Sequence, residues 1–91
     1  MVGYAKNKPE VTARLRRIEG QVRGLQKMVD EDRYCIDVLT QVNAVKAALD
    51  SMALLLLQDH MNTCVADAIR SGHGEDKIRE VTETVQRFVK G

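Results

Sequence analysis

The stretch Arg33-Tyr34-Cys35-Ile36-Asp37-Val38-Leu39-Thr40-Gln41-Val42-Asn43-Ala44-Val45-Lys46-Ala47-Ala48-Leu49-Asp50-Ser51-Met52-Ala53-Leu54-Leu55-Leu56-Leu57-Gln58-Asp59-His60-Met61-Asn62-Thr63-Cys64-Val65-Ala66-Asp67-Ala68-Ile69-Arg70-Ser71 holds no glycine and no proline. Val38, Val42, Val45, Leu49, Met52 and Leu56 recur at alternating steps of four and three, the mark of a helix packed along another helix. Leu54, Leu55 and Leu57 widen the stripe, so the middle needs cover from several sides. One helix over 33–71 is about 58 Å long at 1.5 Å per residue. Gly72 stops it.

The flanks repeat the theme. Val11, Leu15, Ile18, Val22, Leu25 and Val29 keep the same spacing, which predicts a first helix over about 9–29 with Asn7 as its cap and Pro9 in its first turn. Asp30-Glu31-Asp32 suits a short turn. Ile78, Val81, Val85 and Phe88 predict a third helix over about 75–89, opened by Glu75-Asp76. No alternating apolar pattern or Gly-rich hairpin signal supports a strand. The expectation is an all-α chain, a single domain over residues 1–91, with a very long second helix.

That helix outruns its neighbours. The first covers only about 31 Å of it, and the third less. Much of the apolar stripe is left to a partner, which points to an oligomer.

Composition narrows the function. The 91 residues are 44% apolar and 30% charged, so the chain is neither a disordered tail nor a membrane span, and its longest strongly apolar run is Met52–Leu57. Aromatics at 3% exclude the stacking platforms of common RNA-binding modules. The start, Met1–Lys6, has no apolar leader core, and two cysteines without an export signal suit thiol or metal chemistry in the cytoplasm. A net charge of +1 hides a split, because residues 1–30 carry +4 and residues 31–91 carry −3. Arg16, Gly20, Arg23 and Lys27 share a face of the first helix distinct from its apolar seam, with Arg14 and Arg17 beside it. Such a face can follow nucleic-acid phosphates, and these basic residues are the candidate contacts, although a charged helix face is more often simply solvated.

Three side chains carry the site chemistry. His60 and Cys64 lie four apart on one helical face, which suits two ligands of one ion. Cys35 is 25 residues before His60, about 37 Å along a helix, so it cannot join them in one chain. An antiparallel partner helix brings it across, with the two-fold axis near Ala48 and Leu49 and two sites between subunits. Two thiolates and an imidazole favour three-coordinate Cu(I), while zinc needs a fourth ligand from Asp59, water or another carboxylate. Unrelated packing roles for the two cysteines and the histidine account for the spacing nearly as well. No oxyanion framework or cofactor motif points to an enzyme.

The run Arg14-Leu15-Arg16-Arg17-Ile18-Glu19-Gly20-Gln21-Val22-Arg23-Gly24-Leu25, together with Cys35, His60 and Cys64, resembles the copper-sensing repressors of the CsoR/RcnR family along essentially the whole chain. The resemblance implies an antiparallel dimer assembled as a dimer of dimers, bound to an operator when metal-free and released by Cu(I) to express copper-efflux genes. It also implies that Tyr34 and Glu80 contact the metal-bound His60 and couple it to the third helix. Nickel and cobalt sensors of the family carry an extra N-terminal histidine and a histidine where Cys64 stands. Persulfide sensors lack the histidine at position 60, and formaldehyde sensors lack the second cysteine. The pattern here is similar to the copper branch. The competing functions are a thiol-based persulfide or redox sensor, and a copper or zinc carrier that does not bind DNA.

Overall fold

The computed structural model describes residues 3–90, so Met1, Val2 and Gly91, part of the domain expected over 1–91, lie outside it. A 3-10 turn, Ala5–Asn7, leads into α1, Lys8–Asp30. Next comes α2, Cys35–His60, which runs through a π turn, Met61–Val65, into α3, Ala66–Arg70. Backbone angles stay helical at both junctions, so the three segments form one rod. The last helix is α4, Gly74–Lys90. No strand occurs among the described residues, and no helix there is long and apolar enough to cross a membrane. The helices expected from sequence are present, and the long second one begins at Cys35 rather than Arg33.

The reason lies in how α1 ends. Arg33 N–H donates to Met28 C=O and Asp32 N–H to Val29 C=O, a reciprocal pair of bonds that needs a left-handed residue between helix and exit. Asp32 takes that conformation with φ 55°, which Asp tolerates better than most side chains. Tyr34 is then extended, with ψ 136°, and the chain reverses into α2. The same motif ends α3: His73 N–H donates to Ala68 C=O, Gly72 N–H to Ile69 C=O, and Gly72 has φ 86°. Beyond it, a Cβ on Gly74 would lie 2.8 Å from Ile69 Cγ1, so glycine lets α4 start hard against α3.

Asn7 corrects one expectation. Its side chain makes no capping bond to α1 and reaches across to Asp59 on α2.

The heptad-like seams divide in two. In α1, Val11 and Ile18 are buried and Leu25 half-buried, while Leu15, Val22 and Val29 are exposed. In α2, Val45 is buried and Val38 and Met52 half-buried, while Val42 and Leu49 are exposed. One half of each seam joins α1 to α2, and the other faces outward. Leu39 and Leu54 are 60% and 63% exposed. The buried apolar set among the described residues is Val11, Ile18, Val45 and Val65. A radius of gyration of 17.1 Å describes an elongated molecule 56 Å long; a compact domain of this length measures about 12 Å. One chain provides one layer, and stable architectures need two.

Candidate metal centre

The three candidate ligands sit at the two ends of α2. Cys35 is its first residue and is exposed. His60 is its last, and Cys64 lies half-buried in the π turn that follows. Ala66 N–H donates to Met61 C=O five residues back, so the turn holds one more residue than an α turn. Such bulges place side chains at angles a regular helix does not offer. Val65, 2% exposed, anchors the turn beside Cys64. His60 and Cys64 are therefore on one turn, whereas Cys35 is a helix length away. Among the described residues of the single chain, no group of three or more His, Cys, Asp or Glu side chains is placed to hold an ion.

Around His60 the neighbours come from two other elements. Glu80, on α4, places Oε1 3.7 Å from His60 Nε2, a charge-range contact longer than a hydrogen bond. Lys77 Nζ is 3.9 Å from the same oxygen. Asp59 accepts from Asn7 Nδ2 at 2.9 Å to Oδ1 and 3.0 Å to Oδ2. Tyr34 stays with Cys35 at the far end of α2 and is 69% exposed, so within one chain it does not meet His60. Below the His60–Glu80 pair, α2 and α4 part to leave a groove of about 600 Å³, lined by Leu54, Leu57, Val81, Val85 and Phe88.

The basic face of α1 is partly engaged. Arg14 bonds Glu10 Oε1 through Nε and Nη2, at 3.3 and 3.2 Å, and Ser51 Oγ through Nη1 at 3.2 Å. Arg23 pairs with Glu19 at 2.6 Å. Arg16, Arg17 and Lys27 are exposed and have no ion-pair partner among the described residues. Gly20 and Gly24 open the same helix, since a Cβ on either would meet nothing within 4 Å.

Sequence reasoning named Cys35, His60, Cys64 and Glu80 as candidates but missed the π turn, the groove and the link from Asn7 to Asp59. The last joins residues 52 positions apart, and no local pattern announces it.

The family described as metal-sensitive transcriptional repressor matches residues 7–87. The copper-sensing transcriptional repressor CsoR of Bacillus subtilis is 55% identical over 86 residues, covering 94% of this chain and 85% of its own. The copper-sensing transcriptional repressor RicR of Mycobacterium tuberculosis is 49% identical over 90 residues, covering 97% and 94%. In three dimensions the chain is similar to the Cu(I)-bound copper-sensing repressor CsoR of Geobacillus thermodenitrificans, with a TM-score of 0.88, 48% identity and coverage of 93% and 88%. It is also similar to the nickel-responsive transcriptional regulator InrS, with a TM-score of 0.77, 46% identity and coverage of 89% and 91%. Helical architecture and sequence agree, and the chain belongs to the metal-sensitive transcriptional repressor family.

Proposed function

We propose that the chain is a Cu(I)-responsive transcriptional repressor whose metal-free form holds an operator and whose Cu(I) form releases it. The observation that carries this reading is the placement of a two-donor turn, His60 and Cys64, at one end of α2 and a third donor, Cys35, at the other. Donors separated along one rod complete a site when a second rod lies antiparallel, and the uncovered halves of the seams offer the surface for it. The full chain then works as one unit within an antiparallel dimer, and two dimers pair to form a tetramer.

The chain resembles the copper-sensing structure more closely in fold than the nickel-responsive one, at similar identity, and the donors favour the same metal. Two soft thiolates and one imidazole satisfy Cu(I) at three-coordination, and nickel gains little from such a set. The residues present fit the ion: Cys35 of one chain with His60 and Cys64 of the other. When bound, Cu(I) fixes the three donors together and supplies the energy that favours the released state.

The protein's own part is to hold and transmit. Glu80 faces His60 from α4, so an imidazole drawn into coordination shifts its contact with that helix. Tyr34 travels with Cys35 and reaches the neighbouring chain's turn by the same antiparallel pairing. DNA contact falls to α1, where Arg16, Arg17 and Lys27 stand exposed and Arg23 adds charge beside Glu19. Arg14 supports that face from its bonds to Glu10 and Ser51. By linkage, whatever factor copper takes from operator affinity, the operator takes from copper affinity.

The test is an anaerobic titration of operator binding at the promoter of its own gene cluster, with Cu(I), Zn(II) and persulfide as separate additions. Release by Cu(I) alone is expected. Release by persulfide alone identifies a thiol sensor, and absence of DNA binding identifies a carrier.

A further inference from the structure

Asp59 stands directly before His60, yet its carboxylate is committed away from the ligand turn. Asn7 Nδ2 lies 2.9 Å from Oδ1 and 3.0 Å from Oδ2, so one amide engages both oxygens. The donor belongs to the 3-10 turn Ala5–Asn7, closed by Asn7 N–H to Tyr4 C=O at 2.9 Å. The same segment touches the same two residues a second time. A Cβ on Gly3 would fall 2.9 Å from His60 Cα and 3.1 Å from both Asp59 O and His60 N, an approach that only glycine permits. Residues 3–7 are therefore strapped across Asp59 and His60 by one hydrogen-bonded side chain and one backbone contact.

The chemistry of the turn gives this strap a use. Two thiolates and an imidazole complete Cu(I), whereas zinc seeks a fourth ligand and accepts carboxylate oxygen. Asp59 is the carboxylate adjacent in sequence to His60, and the Asn7 amide on both of its oxygens holds it toward the strap, so turning to an ion competes with that contact. We infer that Asn7 is a specificity-determining residue, whose amide withholds the Asp59 carboxylate from the ion and keeps the site three-coordinate, with Gly3 seating the strap. The inference rests on the copper reading above and assigns the discrimination against zinc to residues outside the ligand set.

The experiment uses the full chain and the metals alone. Zn(II) and Cu(I) affinities are measured anaerobically by chelator competition for wild type, Asn7→Ala, Asp59→Asn and Asn7→Ala/Asp59→Asn. Co(II) absorption serves as a probe of four-coordination, and thermal melting confirms folding. Asn7→Ala is expected to bind Zn(II) about tenfold tighter, a difference of about 1.4 kcal/mol, and to gain tetrahedral Co(II) bands. Its Cu(I) affinity should stay within about threefold of wild type. Asp59→Asn and the double variant should match wild type for Zn(II). Unchanged Zn(II) affinity in Asn7→Ala overturns the inference, as does a gain that persists in the double variant. Equal loss of both metals overturns it too, because that is the signature of a packing role. Failure of the copper reading shows separately, in wild type that binds no Cu(I). The paired Zn(II) comparison still judges Asn7 in that event.

Discussion

His60 ends α2 with its Nε2 3.7 Å from Oε1 of Glu80, one of the residues through which α4 faces the ligand turn. The carboxylate also has Lys77 Nζ at 3.9 Å, so its charge is shared between two neighbours. Both side chains of the His60–Glu80 pair are partly exposed, and a contact at this distance is weak. That suits a transmitter better than a ligand. Glu80→Ala should leave Cu(I) affinity within about threefold of wild type while cutting copper-driven loss of operator affinity by at least tenfold. Fluorescence anisotropy of labelled operator with and without Cu(I) measures the second effect, and full release by Glu80→Ala counts against this role.

The separation of Cys35 from the His60–Cys64 turn makes a prediction about mixing. Chains carrying Cys35→Ala and chains carrying His60→Ala should each lack tight Cu(I) binding. Unfolded together and refolded, they should recover about a quarter of the wild-type sites, because half of the dimers are mixed and each mixed dimer keeps one complete site. Copper stoichiometry by competition with a Cu(I) chelator reads this directly. No recovery would mean that the site is not built between chains.

The basic face of α1 divides into residues with and without internal work. Arg16→Ala and Lys27→Ala should each lower operator affinity and reduce the salt-dependence slope by about one unit. Arg14→Ala should change the slope less and the melting temperature more, since it loses bonds to Glu10 and Ser51. Operator titrations at several salt concentrations, with parallel thermal melts, separate the two classes.

The two glycines around His73 should fail differently. Gly72→Ala forces a Cβ into φ 86° and should cost about 1–2 kcal/mol whatever its neighbours. Gly74→Ala puts a Cβ 2.8 Å from Ile69 Cγ1, a clash between two particular residues. Its cost should shrink in an Ile69→Ala background, whereas that of Gly72→Ala should not. Denaturant unfolding of the three single variants and of the two doubles with Ile69→Ala tests the coupling.

These relationships show where sequence was informative. The spacing through Val38, Val45 and Met52 determined the long helix, because a helical period is a local property. The distance from Cys35 to His60 showed that the two cannot meet within one chain, because rise per residue is fixed. Asn7 illustrates the opposite case. As a residue before a proline-led helix it reads as a cap, and only the folded chain shows that Asp59 offers its amide a charged acceptor instead. The π turn was equally hidden, since one extra residue between His60 and Ala66 leaves the apolar period nearly intact. Arg14 looked like its neighbours until its reach to Ser51 was seen.

The divided seams have a consequence for abundance. With Leu15, Val22, Val42 and Leu49 uncovered, folding stability is not a constant of the chain. It rises by mass action with the amount of whatever covers those residues. Where the cover is another copy, dilution unfolds the protein and accumulation protects it. The melting temperature then climbs with concentration, and the quantity of regulator per cell becomes a variable that the fold itself reads.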